Sequence, residues 1–563
     1  MKEKKTVMRA SVAVIVLVLI IGAILLTQIL GKNNNILKKD NPMTKEESMK
    51  KLDNLYSKLY INKLPLKQDP NFQGDDEGVE KIAVLPDISE YPFIVNPTTD
   101  DFLTVYSSVE KSGWFIDIAN KFNQSGITVD GKPVSVGIRA IPSSLGVDLI
   151  TSGKYTPDIY APSSEIYGDL LISQGINAKL AEKRIAGNVV GVVMTKQKSD
   201  ELTNQYGNPD SKNIIDSVLN NNLTLGYTTP LSDENGFHFI LTLLSNFDNN
   251  NLLSEESIIN LRKFQDNIIL IAYDNDQLRA ALTGGTLDAI ILDYQTYSNS
   301  AGLNSLYEFT PIGDRKDNPV YEIGDLPAIK KQITEKFIDF CKTEDSQKSA
   351  SDNGFNGLND YSGATSFKGI TVLQAQEIYK KEKNGSSDIT AVFVADISGS
   401  MEDSPILNLK ASLYRAIGVI DSNANIGLVT FSDEVNIAVP IAKFDNVQRS
   451  YFSNAVKNMT AGGGTAMFDA IVVAQKMLMD AKDKNPNTKL MLFVLTDGES
   501  NRGYIFEDIE TMTRGLRIPI YTIGYNANIE ILRKLSDINE APSMNADSDN
   551  IIYRIESLFK SQT

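Results

Sequence analysis

The chain has 563 residues, which is enough for two or three domains with substantial cores. Its formal charge is −16, and no basic stripe is interleaved with aromatic residues, so nucleic acid is not an expected partner. The single cysteine, Cys341, rules out an internal disulfide and any multi-cysteine metal site.

The N-terminus predicts a membrane anchor. A basic segment at 1–9 precedes an uncharged apolar run at 10–30, which is long enough to cross a hydrocarbon core about 30 Å thick. The basic flank is expected to stay in the cytoplasm as a short tail, leaving the bulk of a single-pass chain outside the cell. A cleaved signal peptide is the alternative, but the run is longer than a usual signal core and residues 27–32 lack a small-residue cleavage site.

Residues 31–79 are predicted to form a polar stalk or linker that contains one short helix. Apolar residues recur with a helical period over Thr44–Tyr60, and Thr44 with Glu47 forms a possible capping box. A stalk helix and a self-association helix both fit this pattern.

Residues 80–368 are predicted to form an α/β unit. Strands are expected at 102–106, 134–140 and 189–195. The stretch Pro157–Ser164, the Gly285–Asp288 turn before an apolar strand, and the ending at 347–355 follow in order. On these features the unit resembles a type 2 extracellular solute-binding domain, with a bilobal, periplasmic-binding-protein-like fold.

This resemblance implies that a small molecule binds between two lobes, with helix N-termini and hydroxyl groups aimed at it. The candidate ligand-binding hydroxyls follow predicted strands: Ser107, Ser108, Ser163, Ser164 and Thr229. Plain helix capping is the alternative for each of them. The chain lacks the lipid-bearing cysteine that usually anchors transporter receptors of this kind in Gram-positive bacteria, which weakens solute import as a role.

Residues 369–387 are predicted to be a linker with one helix, and residues 388–563 to be a further α/β domain. Apolar strands and amphipathic helices alternate along this last stretch, up to a predicted helix at 551–559. Such alternation indicates a doubly wound, Rossmann-like parallel sheet covered on both faces.

Oxygen-bearing side chains follow two of these strands. Asp396, Ser398 and Ser400 form a D-x-S-x-S turn after an apolar strand, and Asp497 follows a second one. Thr465 lies between them in a glycine-rich stretch. Ligand sites in such sheets lie at the carboxyl ends of the strands, and a few hard oxygens there suit Mg²⁺.

These three motifs resemble those of the von Willebrand factor A (VWA) domain and its metal-ion-dependent adhesion site. The resemblance implies that Ser398, Ser400 and Thr465 are hydroxyl ligands of Mg²⁺, or of another divalent cation such as Mn²⁺ or Ca²⁺. It also implies that Asp396 and Asp497 act partly through waters and that a carboxylate of a protein partner completes the shell. Asp469 could support the site or simply lie on a helix surface.

Two functions follow as expectations. The first is a cell-surface binding protein that uses its metal site for adhesion or assembly with a protein partner. The second is a surface solute receptor or sensor, possibly associated with transport. Catalysis is not expected, because the only histidine, His238, is accompanied by no nucleophile motif and no phosphate-binding loop occurs.

Overall fold

The computed structural model contains two α/β units, which are described one after the other. The described residues are 43–72, 85–231, 233–300, 302–363, 369–383, 385, 387–498, 500–525, 529–539, 541, 543–545 and 558. The expected tail and anchor at 1–30, and the predicted helix at 551–559 apart from Leu558, lie outside these residues. Within the described ranges, no helix combines the length and the apolar character needed to cross a bilayer.

A segment near the N-terminus provides the first helix and the first strand. They are α1 (Lys45–Tyr56) and β1 (Ile61–Lys63). Thr44 caps α1, and its side chain and that of Glu47 form a capping box. The predicted helix therefore forms where the capping signal lies.

The first lobe of the solute-binding-like unit is built on a mixed sheet with strand order β2-β5-β3-β6-β13-β7, and β4 pairs with β5. Strand β3 is parallel to β5 and β6, and the other pairs are antiparallel. Its strands are β2 (Phe93–Val95), β3 (Asp101–Ser107), β4 (Thr128–Val129), β5 (Lys132–Ala140), β6 (Ile159–Ala161), β7 (Ala178–Glu182) and β13 (Val320–Ile323). Its helices are α2 (Ser112–Gln124), α3 (Ser143–Thr151), α4 (Glu165–Ser173), α12 (Ala328–Cys341) and α13 (Glu344–Asp352). Trp114, Phe122 and Phe337 belong to its buried apolar core.

The second lobe has strand order β10-β9-β11-β8-β12. Its strands are β8 (Val189–Thr195), β9 (Leu225–Thr228), β10 (Leu270–Ala272), β11 (Ala289–Asp293) and β12 (Tyr307–Arg315). Its helices are α5 (Lys196–Tyr206), α6 (Ser211–Leu219), α7 (Glu234–Phe247), α8 (Glu255–Asp266), α9 (Asn275–Thr283), α10 (Tyr294–Asn299) and α11 (Leu303–Leu306). Strands β8 and β11 are almost wholly apolar and buried, as expected for central strands covered on both faces.

The chain crosses between the lobes twice, at 183–188 and at 316–319. The two crossings are hydrogen-bonded to each other, since the backbone N–H of Asn188 donates to the carbonyl of Lys316 (3.1 Å) and that of Lys316 donates back (3.0 Å). Such a paired connection is a two-stranded hinge. The following helix α14 (Gly369–Glu382) packs on α4 and α8 of the lobes.

The C-terminal unit is a seven-stranded sheet with order β1-β16-β15-β14-β17-β18-β19. Its remaining strands are β14 (Ile389–Asp396), β15 (Asn425–Phe431), β16 (Val435–Lys443), β17 (Lys489–Thr496), β18 (Ile520–Gly524) and β19 (Ser543–Asn545). Its remaining helices are α15 (Ser404–Val419), α16 (Asn446–Lys457), α17 (Met467–Lys484), α18 (Phe506–Leu516) and α19 (Ile529–Asp537). Every residue of β14 is buried, which explains why this strand lies at the centre of the sheet.

The segment 43–72 belongs to this C-terminal unit. Strand β1 pairs in parallel with β16. The sequence predicts β16 as an edge strand, and β1 covers that edge. Helix α1 packs on α17 and α18, and Leu52 is fully buried between them. The solute-binding-like unit is thus inserted between the first and second strands of the sheet, where the sequence suggested only a stalk.

Candidate functional site

The loops that carry the predicted metal ligands meet at the carboxyl ends of the central strands. Asp396 ends β14, and the parallel register of β14 with β17 sets it beside Thr496 and Asp497. The Ser398 turn is fastened to the glycine-rich loop, since the N–H of Gly399 donates to the carbonyl of Gly463 (3.0 Å).

Asp396 is the most constrained member of the group. One carboxylate oxygen accepts from the backbone N–H of Ser398 (2.8 Å), and the other accepts from the hydroxyl of Thr496 (2.5 Å). Burial raises the pKa of Asp396 to about 6; these hydrogen bonds oppose the rise, and the charge of Asp497 adds to it. Two acidic groups therefore share one buried rim, an arrangement that a cation would stabilise.

The hydroxyl groups lie at the same rim. The Oγ atoms of Ser398 and Ser400 are 3.1 Å apart, and Ser398 is fully buried. Thr465 is buried, and its backbone is held on both sides by Asn501, whose side chain accepts from the Thr465 N–H and whose N–H donates to the Thr465 carbonyl. This backbone clamp fixes the position from which the Thr465 hydroxyl can act.

One buried atom in this group has no protein partner. Oδ1 of Asp497 is inaccessible to solvent and forms no hydrogen bond within the part of the chain that the structure describes. A buried carboxylate oxygen without a partner is costly unless a donor, a water or a cation meets it. Two carboxylates with several hydroxyls are the donor set that Mg²⁺ prefers, so the residues present fit a divalent cation.

Asp469 supports the neighbouring loop. Its Oδ1 accepts from the backbone N–H of Tyr504 (2.7 Å), and Gly503 packs so closely that an added Cβ would lie 2.2 Å from the Asp469 carboxylate. Asp469 thereby holds the loop that carries Asn501. Sequence reasoning missed Thr496 and Asn501; Thr496 could have been found as the last residue of the strand before Asp497.

A cavity of about 550 Å³ lies between the two lobes of the solute-binding-like unit. The first lobe contributes the residues around the turn after β3 and the start of α3, and the second contributes the starts of α7, α9 and α10. Its polar lining residues are Glu110, Ser143, Ser144, Asp233, Glu234, Asn235, Asp274, Asn275, Asp293, Thr296 and Lys316.

The predicted hydroxyls lie behind this lining. Ser107 is buried and donates to the Ser108 carbonyl (3.2 Å), while Ser108 accepts from the Lys111 ammonium. Ser163 is buried, and its backbone N–H donates to the Ser143 hydroxyl (3.3 Å), while Ser164 caps α4. Thr229 is buried in the turn after β9. The structure places these five within hydrogen-bonded turns and not among the residues that line the cavity.

The charged side chains of the cleft escaped sequence reasoning. Lys316 is buried, and its ammonium contacts Glu234 (3.1 Å) and the side-chain oxygen of Asn235 (3.2 Å). Nearby carboxylates raise the pKa of Lys316 despite its burial. Lys316 lies 81 positions from Asn235 in the sequence, so no local spacing reveals this group.

Two family models match the chain. The model for the von Willebrand factor type A domain matches residues 391–560, and that for a bacterial extracellular solute-binding protein matches residues 103–356. The two matches correspond to the C-terminal unit and to the bilobal unit described above.

Curated relatives match a part of the chain. An uncharacterized protein of Borreliella burgdorferi is 32% identical over 160 residues, which cover 27% of this chain and 45% of that protein. Inter-alpha-trypsin inhibitor heavy chain H1 of Mesocricetus auratus is 27% identical over 151 residues, covering 25% of this chain and 16% of that protein. The chain thus spans from about a sixth to less than half of the length of these relatives.

Solved structures show similarity to each unit. A von Willebrand factor type A protein from Catenulispora acidiphila aligns with a TM-score of 0.29 and 19% identity, covering 31% of this chain and 42% of that one. The sulfate-binding protein SubI of Mycobacterium tuberculosis aligns with a TM-score of 0.35 and 16% identity, covering 50% of this chain and 98% of that one.

Proposed function

We propose that this chain, which contains a VWA domain and a bacterial extracellular solute-binding domain, is a membrane-anchored surface protein that binds a protein partner through a Mg²⁺-dependent site. The anchor would be the apolar run at 10–30, with the domains outside the cell. Both matched families consist of binding domains, which supports a binding role.

The observation that carries the proposal is the unpartnered Oδ1 of Asp497 beside the buried carboxylate of Asp396. Ser398, Ser400 and Thr465 would hold the ion together with the two aspartates. When bound, the ion supplies a coordination position that a partner carboxylate can fill. Ser398 and Thr496 hold the carboxylate of Asp396 in place and would thereby position it for the ion.

Direct metal titration of the full-length chain tests the site. We expect calorimetry to detect one Mg²⁺ or Mn²⁺ site that is lost in Asp396→Ala and retained in the matched control Asp483→Ala, which alters an exposed carboxylate at the far end of α17. Immobilised chain should retain its partner from a cell-surface extract with Mg²⁺ and release it with EDTA. Equal retention with and without chelator would overturn the proposal.

A second function is supported by a separate observation. The cavity of about 550 Å³ lies between two lobes that are joined by a paired two-stranded hinge, the geometry of a domain that closes on a small molecule. A solute receptor or sensor is therefore compatible with the adhesive role. A ligand that raises the melting temperature of the full-length chain would support it.

A further inference from the structure

We infer that the cleft between the two lobes accepts an organic amine, such as a polyamine, guanidinium or quaternary ammonium compound, and rejects inorganic anions. This inference deepens the receptor role proposed above and rests on it. It depends on the charge of the lining, on the way the helix N-termini are capped, and on which polar atoms lack partners.

The lining of the cleft is strongly acidic. Among the described lining residues, five are carboxylic acids and one is a lysine: Glu110, Asp233, Glu234, Asp274, Asp293 and Lys316. The lysine is already engaged by Glu234 at 3.1 Å and by Asn235 at 3.2 Å. An incoming anion would therefore meet an excess of negative charge, whereas a cation would be attracted.

Carboxylates cap the helix N-termini of the second lobe at the cleft, since Asp233 accepts from the N–H of Asn235 (2.9 Å), Asp274 from that of Gln277 (2.9 Å) and Asp293 from that of Thr296 (2.9 Å). Helix α3 of the first lobe also starts at the cleft, with Pro142 at its N-cap and no side-chain cap. Solute sites that hold anions use the amides of helix N-termini directly. Here each cap takes up one or two of the four terminal amides of its helix and places a carboxylate beside the others.

The unpartnered polar atoms of the lining are acceptors. Oε1 of Glu110 and Oδ1 of Asn275 are inaccessible to solvent and lack a hydrogen-bond partner among the described residues. Asn275 is oriented by its amide group, which donates to Asp233 at 3.4 Å. Burial and the charge of Glu234 raise the pKa of Glu110, and a positively charged hydrogen-bond donor at these oxygens would oppose that rise.

The second lysine near the cleft does not alter this balance. The ammonium of Lys111 donates to the carbonyl of Pro162 (3.0 Å), to the side chain of Asn318 (3.0 Å) and to Ser108, and so turns away from the cavity. Its three donors are therefore all used. Burial lowers the pKa of Lys111 to about 8, so the ammonium stays mostly charged at pH 7 and offsets one carboxylate, while the balance of the lining remains negative.

The size of the cavity and the spacing of its acids favour an organic ligand over a bare ion. A volume of about 550 Å³ lies within the range of small-molecule pockets and far exceeds that of one ion. Across the described parts of the chain, no three His, Cys, Asp or Glu side chains converge closely enough to hold a metal. The carboxylates are thus spread around the cavity and can meet several groups of one extended ligand.

Calorimetric titration of the full-length chain with defined probes tests the inference. The amine probes are spermidine, arginine and choline, and the anion probes are sulfate, phosphate and molybdate at equal ionic strength. We expect at least one amine to bind and the anions to give no saturable heat. A saturable anion would overturn the amine assignment while leaving the receptor role intact, and an absence of amine binding would overturn the assignment as well.

Variants locate the binding to the cleft. Glu110→Gln keeps the shape of the side chain and removes one buried charge, so we expect amine binding at least tenfold weaker without loss of folding. Glu335→Gln, which changes an exposed acid on α12, serves as the matched control and should bind as the parent does. Equal weakening in both variants, or none in Glu110→Gln, would contradict a site in this cleft. Neither substitution alters a residue of the metal site, so Mg²⁺ titration of each variant tests the proposed adhesive role separately.

Discussion

Asp396 and Asp497 illustrate how single residues can be arranged for a ligand at a cost to the folded chain. Asp396 is fully buried, and repulsion from Asp497 adds to the effect of burial in raising its pKa. Buried like charges destabilise a fold unless something neutralises them. The rim is therefore expected to be more stable with a divalent cation than without one.

The substitution Asp497→Asn tests whether a divalent cation stabilises this rim. The change removes one charge but keeps the shape, so we expect the chelated protein to be at least as stable as the parent. We also expect Mg²⁺ affinity to fall at least tenfold. A saturating ligand at 100 times its Kd stabilises by about 2.7 kcal/mol, so thermal unfolding with and without Mg²⁺ should show a shift in the parent that is missing in the variant. A shift of equal size in both would exclude Asp497 from the site.

Asp314 gives a pH-dependent prediction in the other domain. Burial, with a contribution from Glu165, raises its pKa to about 7. The folded state then holds a proton that the unfolded state has lost, so stability falls as pH rises from about 4 to about 7. Asp314→Asn should remove this loss and stabilise the domain by up to about 4 kcal/mol at pH 8, with little effect at pH 4. Urea unfolding of the parent and of Asp314→Asn at both pH values measures the difference in stability. An equal difference at pH 4 and pH 8 would contradict a raised pKa of Asp314.

At the scale of the elements, the segment 43–72 changes the boundary of the C-terminal domain. Lys51 donates to the Thr511 side chain (3.1 Å), and Tyr504 donates to the carbonyl of Leu55 (3.0 Å). Asp69 accepts from Ser453 (2.9 Å) near the end of the segment. These contacts span the whole segment, so it acts as an integral layer of the domain.

Leu52→Ala tests that layer. Leu52 is fully buried against α17 and α18, and truncating such a side chain costs about 2–5 kcal/mol. We expect a loss of that size in chemical unfolding of the C-terminal domain. Leu64→Ala is the control, because Leu64 is 45% exposed and its truncation should change stability little. Equal stability of Leu52→Ala and the parent would mean that the segment packs only loosely.

The elements also show which parts of the fold a sequence can reveal. Strands β14 and β17 are continuous apolar runs closed by polar turns, and both could be predicted, as could the capped helix α1. Strand β1 has only three residues and pairs with a strand 374 positions away at Asn62 and Asn436, so no local pattern marks it. The metal motifs were visible because each is a short local pattern, whereas the cleft acids lie at the starts of separate elements and share no such pattern.

At the scale of the whole molecule, the two domains meet beside the cleft. Tyr273 lines the cavity and also packs against the core on one face of the C-terminal sheet. Three residues beyond the cap of α9, the side chain of Gln277 interacts with Tyr521 near the start of β18. A ligand in the cleft would therefore contact residues that the other domain also holds.

This contact predicts thermal coupling between the domains. We expect calorimetric scans of the parent to show the two domains unfolding in overlapping transitions, and Tyr273→Ala to separate them by several degrees because it removes packing at the contact. Ile259→Ala, an exposed apolar residue of the same lobe, is the matched control. Unchanged overlap in Tyr273→Ala would show that the domains unfold independently.

The interrupted sheet also fixes an order of events during synthesis. Strand β1 is synthesised first, and Asn436, with which Asn62 pairs, follows 374 positions later. At usual rates of roughly 5–20 residues per second, this is a delay of roughly 20–75 s. The inserted lobes are fully synthesised before Asn436, so we expect them to fold first and the C-terminal sheet to assemble from its two separated parts afterwards.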